Sequence, residues 1–178
     1  MVALAHNLKF PVFLYFCPMD IATKIKESPF FTIEEFLHPY FIHAVGKERA
    51  YSYVSDFQVN YAFLLREILN TPVILNTWHR KKPSEKGYYV GRGTRPATYR
   101  PEGGGTISMH YFMSALDCST LKYSPREIYE AILLNREKFE LIGLTTIENL
   151  LITPGWLHGD CRRKIKDWHP KEGFLIVG

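Results

Sequence analysis

The chain has 178 residues, 46% of them hydrophobic and 15% aromatic, and a formal net charge of +4. That length suits one domain with a short extension, and that apolar content excludes an intrinsically disordered chain. The charge is too mild to single out nucleic acid: the basic runs Arg80-Lys81-Lys82 and Arg162-Arg163-Lys164-Ile165-Lys166 read as solvated loop charges.

At the N-terminus, Met1-Val2-Ala3-Leu4 is followed by polar residues, not by the basic-then-apolar pattern of a secretory signal. The run Phe10–Cys17 is too short to cross a bilayer as a helix, so no membrane partner is expected; it reads as a strand or a packing segment. Residues 1–30 form an N-terminal extension in this reading, and residues 31–178 the main domain. Thr32 and Glu35 make a capping box with Phe31 and Phe36 as its hydrophobic staple, which predicts a helix start there. Val54, Phe57, Tyr61, Leu64, Leu65 and Ile68 recur at helical spacing and predict an amphipathic helix over 54–69. Pro72–Thr77 reads as a buried strand.

Residues 81–106 are rich in glycine, proline and basic side chains, with Gly91-Arg92-Gly93 and Gly103-Gly104-Gly105. A loop this long in a compact domain is usually functional, and here it reads as the rim of a cleft. No Gly-Lys-Ser/Thr follows its glycines, so it is not a phosphate loop. Ser114–Cys118 suits a short strand. Ser124-Pro125-Arg126-Glu127 supplies an N-cap, a first-position proline and a capping glutamate for a helix to about Phe139. Thr145–Leu150 and Gly155–Arg162 flank Thr153-Pro154-Gly155 as a β-hairpin, and Phe174–Val177 reads as a last strand.

The chemistry concentrates in two of these pieces. His110 and Asp117 stand seven residues apart, and Trp156-Leu157-His158-Gly159-Asp160 follows about forty residues later. Two imidazoles and one carboxylate fill three corners of a tetrahedral zinc site and leave the fourth for water, whereas structural zinc is closed by four protein ligands. His110, Asp117 and His158 are thus the expected metal ligands and zinc the expected cofactor. Strand alternation puts Trp156, His158 and Asp160 on one face and turns Cys161 away from it; Cys118 likewise faces opposite Asp117. These cysteines therefore read as core residues, and with Cys17 they make an odd count that suits a reducing compartment. A hairpin turn centred near Thr153 sets Glu148 opposite His158, where a carboxylate can orient the ligand or act as general base. Asp160 is the other candidate base, and equally a partner for the distal nitrogen of His158. His38, His43 and His169 have no ligand-like neighbours in sequence.

Ser108-x-His110 followed by Ala115-x-Asp117 resembles the Ser-x-His-x-x-Gly-x-Ala-x-Asp signature of the zinc D-Ala-D-Ala carboxypeptidase family, which shares its fold with the Hedgehog signalling domain. Trp156–Arg162 is similar to the aromatic-x-His-x-Asp-x-Arg segment of its bacterial and phage branches. Phe31-Thr32-Ile33-Glu34-Glu35-Phe36 and Thr71–Arg80 resemble two further segments, so the likeness runs in order from about Phe31 to Arg162. The resemblance implies an α+β fold, with a central antiparallel sheet flanked by helices, and a zinc peptidase-like domain over 31–178. It implies a zinc-dependent peptidoglycan peptidase, a carboxypeptidase or endopeptidase on stem peptides, of phage-associated type. Glu148, Asp160 and Arg80 are then the catalytic candidates, Arg80 steadying the oxyanion, and His79 and Trp156 line the substrate. Two departures stand out: Gly155 occupies the position where the family usually keeps an acidic residue, and Met113 replaces a glycine. They favour an alternative, a catalytically inactive peptidase-like structural or binding module of a phage particle. Stem peptide and other phage structural proteins are the expected partners. The expected localisation is cytoplasmic synthesis, followed by virion association or release to the cell wall on lysis.

Overall fold

The computed structural model describes residues 20–100, 108–162 and 173–177. The apolar run Phe10–Cys17, glycines 103–105, most of the 162–166 basic cluster and His169 lie outside the described residues. Local capping decides where most helices begin. Asp20 accepts a hydrogen bond from the Thr23 amide and starts α1 (Ile21–Lys26), whose Ile25 is buried in the core. The Thr32–Glu35 capping box starts α2 (Ile33–Phe36). That helix is a single turn, because Leu37 is extended and Pro39 follows His38 to open α3 (Pro39–Val45). Gly46 ends α3 and precedes the short α4 (Lys47–Ala50).

The longest helix, α5 (Asp56–Leu69), starts at Ser55 through a capping box with Gln58 and stops at Asn70 in the left-handed region. Phe57, Tyr61, Leu64 and Leu65 are buried, the stripe expected from their spacing. A third capping box at Ser124 and Glu127 starts α6 (Pro125–Leu134). The helix expected to reach about Phe139 is broken: Asn135 leaves helical backbone geometry, its side chain bonds the Ala131 carbonyl, and α7 (Arg136–Leu141) follows. An asparagine whose amide competes for backbone partners is a physical reason for that break.

Four short strands make the sheet: β1 (Ala115–Cys118), β2 (Thr146–Glu148), β3 (Leu157–Asp160) and β4 (Leu175–Val177), in the order β1-β3-β2-β4. The β3–β2 pair is antiparallel, as the hairpin predicts, and β1–β3 is antiparallel too, but β4 runs parallel to β2. The sheet is therefore mixed, not wholly antiparallel. Asp160, which ends β3, and Leu175, which opens β4, both pair with Thr146, so β3 ends and β4 begins at the same end of the sheet. A return from the same end must run against β3 and hence along β2.

Pro72–Thr77 buries Val73 and Leu75, yet it is no strand of the sheet. It makes one bridge, Ile74 to Ser119, and then sends the Asn76 and Thr77 amides to the Glu35 and Tyr89 carbonyls. The competing partners come from α2 and the 81–100 segment.

The sheet has two chemically distinct faces. Leu116, Cys118, Ile147 and Leu157 belong to the core, where β1 packs on α5 and β3 on α6. Gly159 lies on this face directly over Tyr61: a Cβ there would stand 2.8 Å from the tyrosine hydroxyl and 3.0 Å from Leu144. Only a residue without a side chain lets α5 come this close. Gly159→Ala is therefore expected to cost about 1–3 kcal/mol by overpacking. Urea denaturation measures it, and an unchanged midpoint would contradict this close contact.

Candidate metal centre

His110, Asp117 and His158 reach one spot from three backbone environments. His110 sits in a 3-10 turn, Met109–Phe112, that Ser108 caps and Met113 closes at φ 57°. A non-glycine residue in the left-handed region costs roughly 1–2 kcal/mol. Here Ser55 Oγ donates to the Met113 carbonyl at 2.5 Å and helps hold the turn. Asp117 and His158 are direct cross-strand partners in the β1–β3 ladder. Opposed residues of an antiparallel pair share a face with their Cβ atoms about 4.5–5.5 Å apart, close enough for side chains to touch.

The three ligand atoms all lie within 4.8 Å of one another. Asp117 Oδ1 is 2.6 Å from His158 Nδ1 and 3.2 Å from His110 Nε2, and the two imidazole nitrogens are 3.3 Å apart. His110 is 1%, Asp117 6% and His158 9% exposed, so the cluster is buried but not sealed. The remaining ring nitrogens are anchored from behind. His110 Nδ1 donates to the Gly93 carbonyl at 2.8 Å, which turns Nε2 and its lone pair toward Asp117. His158 Nε2 lies 3.3 Å from Asp160 Oδ2.

Electrostatics follow from this packing. Burial pushes the His110 imidazole below its ordinary pKa and keeps it neutral. Burial opposes ionisation of Asp117 too, yet its contacts with His110 and His158 outweigh that and hold the carboxyl far below the usual range. For His158 burial works against a charge, but hydrogen bonds to Asp117 and Asp160 raise its pKa to about 9. Asp160 is buried as well; its bonds to Arg162 and His158 prevail and depress it to about 2. Glu148 moves the other way: burial, helped by the Asp117 charge, raises its carboxyl despite the opposing charge of His158.

This donor set suits a divalent ion. Zinc bound at about 2.0–2.1 Å in a tetrahedron places its donors about 3.3 Å apart. Two of the three edges here are 3.2 and 3.3 Å, while the third, at 2.6 Å, is a hydrogen-bond length. Both imidazoles are oriented from outside by an oxygen on their other nitrogen, as metal-binding histidines commonly are.

The other expected site residues are distributed unevenly. The paired residues Thr146–Asp160 and Ile147–Gly159 continue to Glu148 opposite His158, so the carboxylate stands on the metal face of the sheet. Asp160 is fully buried and engaged by Arg162 through Nε at 2.8 Å as well as by His158. Arg80 is paired with Glu35 at 3.0 Å and its side chain is half exposed; among the described residues it makes no hydrogen bond to the cluster. His79 is partly buried, with Nδ1 lacking a hydrogen-bond partner among the described residues. Trp156 is partly buried and lies immediately before β3. Cys118 is buried with its thiol pushed up to about 12 by that burial, and Cys118 and Cys161 are both free.

The described part of the 81–106 segment, residues 81–100, departs from the expected cleft rim. Its Gly91–Thr94 stretch is buried and serves as the wall behind the ligands. Gly93 crosses α2 so closely that a Cβ would fall 1.8 Å from the Phe36 carbonyl oxygen. Arg95 then reaches Asp117 Oδ2 at 3.2 Å, making it the guanidinium at the centre. Thr94 and Arg95 carry no signal in the sequence, because nothing in Gly91-Arg92-Gly93-Thr94-Arg95 is periodic. The glycine pair bracketing an arginine was its one visible signal.

A centre of this kind is expected to take up one equivalent of zinc per chain, measured by elemental analysis after dialysis. Free zinc at about 100 times its Kd should raise stability by about 2.7 kcal/mol in denaturant titrations. His158→Ala should abolish both effects; equal uptake by that variant would exclude His158 as a ligand. Comparison of the chain with protein-family models, with curated proteins and with solved structures finds no match in any of the three.

Proposed function

We propose that this chain is a zinc-dependent peptidase acting on the stem peptides of peptidoglycan, with the fold of the zinc D-Ala-D-Ala carboxypeptidase and Hedgehog family. The observation that carries the reading is the buried His110–Asp117–His158 cluster with Glu148 beside it on the same sheet face. The ordered motifs from Phe31 to Arg162 and the two-histidine, one-carboxylate donor set support it. Zinc, when bound, supplies Lewis acidity at a substrate carbonyl and makes a water easier to deprotonate.

The protein's own residues divide the remaining work. Neutral His110 and ionised Asp117 present lone pairs from a preorganised site. Asp160 is committed to Arg162 and to His158 Nε2, so its part is to orient the imidazole. Glu148 forms no ion pair among the described residues and has a raised carboxyl pKa, the features of a general base. It accepts the proton that water gives up on attacking the peptide carbonyl, then delivers it to the leaving amine nitrogen. Arg80, anchored by Glu35 and half exposed, steadies charge on the carbonyl oxygen in this proposal. His79 and Trp156 contact the flanking substrate.

One observation favours the second reading, a phage structural or binding module without catalysis. Gly155, at the position of the usual acidic residue, is exposed at the β2–β3 turn and brings no carboxylate. Digestion of purified peptidoglycan, read by mass spectrometry of the released muropeptides, separates the two. The wild type should generate new peptide termini. Glu148→Gln should lose about 100-fold or more in rate with its zinc content unchanged, and His158→Ala should lose both. A wild type that holds zinc but cleaves nothing would establish the binding module, and undiminished cleavage by His158→Ala would overturn the metallopeptidase.

A further inference from the structure

The five residues Gly91–Arg95 touch both ligands carried by the 109–117 segment, and each contact has a distinct consequence. The Gly93 carbonyl selects which His110 nitrogen faces inward. The Arg95 amide donates to the His110 carbonyl at 3.2 Å, and the Asp117 amide donates to the Arg92 carbonyl at 2.8 Å, so backbone bonds lock the arc to both residues. The Arg95 side chain is 13% exposed; its Nε donates to the Gly91 carbonyl and its NH2 group donates to Asp117 Oδ2. The carboxylate is thereby divided. Oδ1 faces the imidazole nitrogens, and Oδ2 is taken by a guanidinium that is itself pinned.

We infer that Arg95 is a positioning residue that confines Asp117 to one-oxygen ligation and so sets the coordination number of the ion; this rests on the metal-centre reading above. An arginine held in a planar fork by a second acceptor resists the rotation that would offer both oxygens to a cation. Ions that favour six or more oxygen ligands often use a carboxylate through both oxygens, whereas zinc with imidazole nitrogen is satisfied by one. Arg95 thus biases the centre toward four-coordinate zinc and against manganese. It also offsets the Asp117 charge without occupying a ligand position.

Cobalt(II) is a direct probe, since four-coordinate cobalt absorbs visible light far more strongly than six-coordinate cobalt. The wild type should give the intense spectrum. Arg95→Met, with folding checked by circular dichroism, should give a weaker one, bind zinc about 10–100-fold less tightly, and show a smaller preference for zinc over manganese. A variant with unchanged spectrum and zinc affinity overturns the inference. The wild-type protein provides a measurement that needs no variant: zinc-edge X-ray absorption should show four nitrogen or oxygen neighbours at about 2.0–2.2 Å. A five-neighbour shell containing both carboxylate oxygens overturns it. Failure of the wild type to take up zinc or cobalt would overturn the metal reading itself, whereas the preceding outcomes overturn the role of Arg95 alone.

Discussion

The contact between the Asp117 carboxylate and the His158 imidazole depends on the register of the β1–β3 ladder, and the candidate site depends on that contact. Because side chains alternate along a strand, this register sends Asp117, His158 and Asp160 to one face and Leu116, Cys118 and Leu157 to the other. A slip by one residue would bury the charged groups against α5 and expose the apolar ones. The core and the site therefore specify each other. Gly159 shows the coupling most directly: it lies between the two site residues of β3, and its missing side chain is what lets Tyr61 close beneath them.

Placing two carboxylates in this environment requires compensation, since an unpaired buried charge costs several kcal/mol. Each carboxylate has its own arginine, Arg95 for Asp117 and Arg162 for Asp160. The two pairs also prevent exchange of roles. Asp160 is bound to Arg162 and held in place, while Glu148 carries no such partner among the described residues and its carboxyl pKa is raised by burial. Similar side chains on one sheet face thus acquire different chemistry from their neighbours.

The wall formed by Gly91–Arg95 explains how an irregular segment can be as constrained as a strand. Its backbone is tied to α2, β1 and the His110 turn, through bonds such as Thr94 to the Phe36 carbonyl and His38 to the Thr94 carbonyl. Asn76 ties the same region together: its side chain donates to the Glu35 and Leu37 carbonyls and accepts from the Arg92 amide. Loss of any one of these would leave a buried polar group without its partner.

Local interactions made much of this readable from the amino-acid order. Capping boxes at Thr32 and Ser124 involve residues three apart, so those helix starts need no distant partner. The Thr153-Pro154-Gly155 turn and strand alternation likewise lead to Glu148 facing His158, and the spacing of His110, Asp117 and His158 marks the residues that converge. What the order of residues could not decide was every contact made between remote segments. Pro72–Thr77 has the composition of a strand, but α2 and the 81–100 segment compete for its amides. β4 lies parallel to β2 because β3 ends and β4 begins at the same end of the sheet. Arg95 at Asp117 bridges 22 residues of sequence, 
and no periodicity encodes it. Tertiary packing alone chose the guanidinium that completes the site, because only the folded chain determines which oxygens are left to be satisfied.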